Sequence, residues 1–195
     1  MIAGVPYDAQ IAYLESTGTQ LIDTGIRGAG SGYLATTFQP LNVGSSSTYW
    51  RYFGASNGTT KTDRTIAYNS GGRTIFEDGY NQVVLGTSRG DVYTIQKTGY
   101  NVPSGSTIGD ANFQIFGYNG TTNIGNVRFY SFSLWNSNDT LVRDYIPVRV
   151  GQVGYLYDRV TRKLYGNAGT GSFTLGPDVA TPVMGLHRMA ERSVS

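Results

Sequence analysis

Apolar residues recur at every second position along almost the whole chain, in short runs separated by Gly, Asn, Ser or Pro. A period of two sends alternate side chains to opposite faces of a strand, whereas a helix repeats its apolar positions every 3.6 residues. The pattern predicts strands at 11–14, 20–23, 33–39, 50–55, 65–69, 74–76, 81–85, 92–97, 113–118, 126–135, 140–147, 153–158 and 164–165. Between them Asn57-Gly58, Gly71-Gly72, Asp78-Gly79 and Asn119-Gly120 supply the positive φ angles that reversals need. So many strands in one chain imply an all-β domain of two packed sheets.

At 195 residues the chain is long enough for one large β domain that buries roughly 70% of its unfolded surface. Net charge is +2 and only 14% of residues are charged, so no field of the kind that holds a phosphate backbone exists and nucleic acid is excluded as a partner. The absence of cysteine removes disulfides and thiolate metal sites. The opening MIAGVPYDAQ lacks a basic region followed by an apolar stretch, and no apolar run approaches the ~20 residues of a membrane span. The expectation is a chain made in the cytoplasm, without membrane insertion.

The run from Gly125 to Asp139, GNVRFYSFSLWNSND, poses a question of faces. Val127 and Phe129 share one parity; Phe132 and Leu134 share the other. A bulge near Tyr130 and Ser131 would return both pairs to one core, and a strand buried on both faces is the alternative.

Three segments are recognisable together: YLESTGTQLIDTGI from Tyr13, NVRFYSFSLWNSNDTLVRDYIPVR from Asn126, and VGYLYDRVTRKLYGNAGTGSFTLGPDV ending at Val179. In order and spacing they resemble the laminin G-like, concanavalin A-like domains of bacteriophage tail, fibre and virion surface proteins and of gut-bacterial surface proteins. The likeness spans residues 11–179, leaving an N-terminal arm at 1–10 and a C-terminal tail at 180–195. It implies a two-sheet antiparallel jelly-roll sandwich, a glycan-binding or adhesive role in many relatives, and calcium in some.

Sugar recognition needs exposed aromatic rings beside polar side chains. The densest such group is TYWRYFGAS, Thr48 to Ser56, where alternation puts Trp50, Tyr52 and Gly54 on one face and Tyr49, Arg51 and Phe53 on the other. Trp50 and Tyr52, with Arg64, Tyr68, Asn69 and Arg73, form the candidate ligand surface; core packing with a solvated rim is the competing explanation. Asp63, Asp78, Asp91, Asp110 and Asn112 could supply oxygens to calcium, though small polar loop residues also serve to bond local backbone. No metal ligand is assigned.

Enzymatic patterns are weak. Retaining glycoside hydrolysis needs two carboxyl groups ~5 Å apart. The glutamates are Glu15, Glu77 and Glu191, and the adjacent Glu77 and Asp78 face opposite ways. The lone His187 lies in the tail with no cysteine or glycine-framed serine to activate. Gly166 to Ser172, GNAGTGS, lacks the Lys-Ser or Lys-Thr ending of a phosphate loop, so it reads as a closing connection. Tyr145, Tyr155, Tyr157 and Tyr165 read as structural, and Arg159, Arg162 and Lys163 as solvated turn charges that discourage edge pairing.

Val183, Met184, Leu186 and Met189 in the tail form a candidate docking surface, and a neighbouring subunit could tie down both ends. The expectation is a non-enzymatic virion surface protein that adheres to glycans and associates with itself or other virion proteins. The alternatives are a structural decoration protein that binds no sugar, and a glycan hydrolase.

Overall fold

The structure, a computed structural model, describes residues 4–27, 32–42, 50–56, 64–77, 81–86, 90–100, 112–117 and 124–180. Among these residues every regular element is a strand, and the strands form two antiparallel sheets. The larger sheet contains β1 (Ala9–Gln10), β2 (Leu14–Ser16), β4 (Gly32–Pro40), β9 (Tyr93–Tyr100) and β11 (Val127–Trp135). It continues through β12 (Leu141–Val150), β13 (Val153–Asp158), β14 (Lys163–Tyr165) and β15 (Thr174–Leu175). The smaller sheet runs in the order β3 (Ile22–Arg27), β10 (Asn112–Ile115), β5 (Trp50–Ser56), β6 (Arg64–Ser70), β7 (Arg73–Glu77) and β8 (Gln82–Gly86).

The predicted strands are present with ends shifted by a few residues, and the two-residue β1 and β15 are additional. Gly71 and Gly72 turn the chain between β6 and β7 with φ of 58° and 76°, a region that costs side-chain-bearing residues steric energy. The other three turn dipeptides lie outside the described residues.

Strand β4 shows how alternation builds the sandwich. Leu34, Thr36 and Phe38 are buried, while Tyr33, Ala35, Thr37 and Gln39 face outward. The inward faces of both sheets meet in one core, in which Phe53 of β5 stands 5.1 to 6.4 Å from the rings of Phe38, Phe76, Phe113, Phe129 and Phe132. Ring pairs at these distances add ~0.5–1.5 kcal/mol each beyond their buried area.

Two bulges decide which side chains enter this core. Between Phe129 and Ser131 the pairing of β11 with β4 shifts by one residue at Tyr130, and Val127, Phe129, Phe132 and Leu134 are all buried. The bulge alternative therefore holds over a strand buried on both faces. A second shift, between Arg51 and Phe53 of β5, leaves Tyr52 without a directly opposed partner on β6 and turns both Tyr52 and Phe53 inward. Strict alternation had put these two rings on opposite faces.

The opening and closing segments are bound to each other. The amides of Ala168 and Thr170 donate to the carbonyls of Leu21 and Thr19 at 2.8 and 3.0 Å, and Asn167 Oδ1 accepts from Leu21 N at 3.1 Å. A Cβ on Gly169 would stand 2.2 Å from the Thr19 carbonyl oxygen, so this close approach admits only glycine without rearrangement.

The described part of the N-terminal arm belongs to the same sandwich. Asp8 N donates to Arg149 O, and β1 pairs with β12. Val5 and Tyr7 cover Ile146, Val148, Tyr157 and Leu164 on the opposite face of the β12 to β14 strands from the main core. This second cluster explains why the middle of β12 is buried on both faces, and it holds the arm without any neighbouring subunit. Tail residues 181–195, including the candidate docking residues, lie outside the described residues.

Candidate functional site

The fold brings the strands of the sequence-derived ligand surface together. Trp50 lies opposite Asn69, Asn69 opposite Thr74, Arg51 opposite Tyr68, and Ser70 opposite Arg73. The side chains do not form the expected platform. Tyr52 is fully buried, with its ring against Phe38 and its hydroxyl donating to Asn42 O at 3.1 Å. No sugar can stack on it there, and burial pushes its phenol pKa well above the ordinary tyrosine value. Trp50 is half-buried against the same core, and Arg73 is exposed beside the glycine turn. The side chains of Arg64, Tyr68 and Asn69 lie outside the described residues.

A different surface carries the required chemistry: the outward face of the larger sheet around β11. Leu14, Phe38 and Phe129 point into the core, so their strand neighbours Tyr13, Glu15, Gln39, Arg128 and Tyr130 point out. Register places Thr174, Glu15, Arg128 and Gln39 in one row across β15, β2, β11 and β4.

Arg128 organises the row. Its Nε donates to Glu15 Oε2 at 2.6 Å, its Nη1 donates to Gln39 Oε1 at 3.2 Å, and its guanidinium lies 4.4 Å from the centre of the Tyr13 ring. Tyr130 donates to the same Gln39 oxygen at 2.9 Å and meets the Tyr13 ring edge-on at 5.8 Å. The Gln39 amide nitrogen donates to Gly90 O. The hydrogen bond to Glu15 is the main cause that holds the Arg128 pKa above its ordinary value. A planar guanidinium fixed by two acceptors and a ring face presents a rigid, half-exposed patch of aromatic edges and amide, carboxylate and hydroxyl groups.

The same face continues along β11. Ser131 lies opposite Thr37, whose hydroxyl is 3.2 Å from that of Thr94, and Ser133 lies opposite Ala35. Ser133 donates to Asp144 Oδ1 at 3.0 Å, and Arg159 pairs with Asp144 Oδ2 at 2.7 Å. At the far end Trp135 lies opposite Tyr33. The Lys97 ammonium is 5.0 Å from the centre of each of these rings and pairs with Asp139.

The other sequence candidates resolve individually. In the glycine-rich connection the amides of Ala168, Gly169 and Thr170 donate to Leu21 O, Asn167 Oδ1 and Thr19 O, so these three cannot cradle a phosphate. Glu77 is buried at the end of β7, where Gln82 Nε2 donates to its Oε2 at 3.3 Å. Asp78, Asp63 and Asp110 lie outside the described residues, and among the described ones no three His, Cys, Asp or Glu side chains gather as a cation would require. Tyr145 and Tyr157 are buried, while Arg162 and Lys163 are exposed at the turn between β13 and β14. No protein-family model, no curated protein and no solved structure matches this chain.

Proposed function

We propose that this chain is a non-enzymatic jelly-roll lectin module of a virion surface, which adheres to glycans through the outward face of its larger sheet. The observation that carries the adhesive reading is the network of Tyr13, Glu15, Gln39, Arg128 and Tyr130. Aromatic surface beside fixed donors and acceptors is what a pyranose needs, because its ring has an apolar C–H face and a rim of hydroxyls. Prior fixation of these side chains lowers the entropy lost on binding. The jelly-roll connectivity and the virion setting rest on the resemblance of the three quoted segments; two antiparallel sheets around one core agree with the former. Single contacts of this kind are weak, and display in many copies raises avidity by factors of ~10² to 10⁴.

The test is a glycan array probed with multivalent wild-type protein and with an Arg128→Ala variant of unchanged melting midpoint. Retention of defined glycans by the wild type, reduced in the variant, supports the reading. Silence of the wild type across the array, or equal binding by the variant, refutes it.

A further inference from the structure

The outward face along β11 has an aromatic cluster at each end and small hydroxyl residues between. Tyr13 and Tyr130 mark one end, Tyr33 and Trp135 the other. Ser131, Thr37, Thr94, Ser133 and Ala35 make the floor. From Arg128 to Trp135 the strand advances about 20 Å once the bulge is discounted, room for about four pyranose rings end to end at about 5 Å each. Small side chains keep this floor low relative to the rings that flank it. The charges on the face stand in opposite pairs: Glu15 with Arg128, Asp144 with Arg159, and Asp139 with Lys97.

We infer that this face binds an internal stretch of an unbranched, neutral polysaccharide lying along β11, with separate stacking contacts at its two aromatic ends. The inference rests on the glycan-adhesion reading and adds the ligand's length, charge class and direction. Neutrality follows from the pairing, since an acidic sugar would meet Glu15 and Asp144 without an unpaired cation to offset them. Internal binding follows from the arrangement along the strand: a terminal-sugar site needs one enclosed pocket, whereas here ring surfaces recur at the two ends of an open floor. Lys97 overlies the far rings, yet its ion pair with Asp139 is 39% and 60% exposed on the two sides. Such pairs are held weakly, so an incoming ring can displace the ammonium.

Calorimetry or surface plasmon resonance with neutral ladders of one to six residues (malto-, cello-, xylo- and manno-oligosaccharides), and with oligogalacturonates as the acidic counterpart, tests this. The expected result is affinity that rises with length to about four rings in one neutral series and then levels. Trp135→Ala should weaken the longest oligomers by about two- to tenfold, the size of one aromatic contact, and leave dimers that occupy the Tyr13 end unaffected. Thr37→Val, an isosteric change on the floor, serves as a second variant if Trp135→Ala melts early; it should weaken the longer oligomers. A monosaccharide bound as tightly as a hexamer overturns the extended path while leaving glycan adhesion standing. Preference for oligogalacturonate overturns the neutral assignment, and silence with every probe overturns both this inference and the adhesion reading for these glycan classes.

Discussion

Replacing Tyr7 with alanine tests whether the N-terminal arm belongs to the cooperative fold. Tyr7 keeps only 8% of its surface exposed and packs edge-on against Tyr157 at 5.0 Å. A buried tyrosine removes roughly 150–250 Å² from water, of which truncation to alanine forfeits about 110 Å², or ~3 kcal/mol at ~25 cal/mol per Å². The lost ring pair adds ~0.5–1 kcal/mol, and partial collapse of the arm returns some of the total. A net loss of ~3 kcal/mol lowers the melting midpoint of a domain this size by roughly 6–12 °C. The assay is thermal unfolding followed by near-ultraviolet circular dichroism, with Tyr7→Phe as the control that keeps the ring. A midpoint for Tyr7→Ala within 1 °C of wild type would refute the assignment of the arm to the fold.

Gly169→Ala places a methyl group 2.2 Å from the Thr19 carbonyl oxygen and should cost ~1–3 kcal/mol in a urea titration, while an unchanged midpoint would deny that the opening and closing segments interlock. Burial raises the phenol pKa values of Tyr7, Tyr52 and Tyr145 above the ordinary 10.0. Above pH 10 the unfolded chain releases these protons while the folded chain retains them, so stability is intact below that point and falls as pH rises beyond it. Urea midpoints that stay level between about pH 9 and pH 11 would contradict this. The buried Tyr145 hydroxyl has no hydrogen-bond partner among the described residues, so Tyr145→Phe should leave neutral-pH stability equal or higher by up to ~1 kcal/mol and reduce the alkaline slope; a clear loss of stability at neutral pH would count against it.

Sequence periodicity carries far in β4, where every second residue is buried and the register follows directly. It fails where the chain adds a residue. The bulge at Tyr130 could be inferred because Phe129 and Phe132 are both too large and apolar to leave in water. The bulge at Tyr52 gave no such signal, since a tyrosine is at home on either face, and the ligand surface was drawn around it for that reason. The row of Thr174, Glu15, Arg128 and Gln39 was illegible for another reason. Each residue sits at an unremarkable outward position beside a core residue, and only the register of four strands distant in sequence brings them together. What could have been read is that Tyr13 and Glu15 flank Leu14, and Arg128 and Tyr130 flank Phe129, two polar-aromatic pairs at the spacing that shares a face.

Beside β1 runs the chain's own closing stretch: Val179 N donates to Gln10 O, Ala12 N donates to Pro177 O, and Ile11 bridges Asp178 antiparallel. Whatever precedes and follows this ladder therefore leaves the fold from neighbouring points at the same end. The mechanical consequence depends on how the two flanks are held. Pulled in opposite directions, they would open this ladder one hydrogen bond at a time; anchored side by side on one support, they would share the load and tether the sandwich from a single corner.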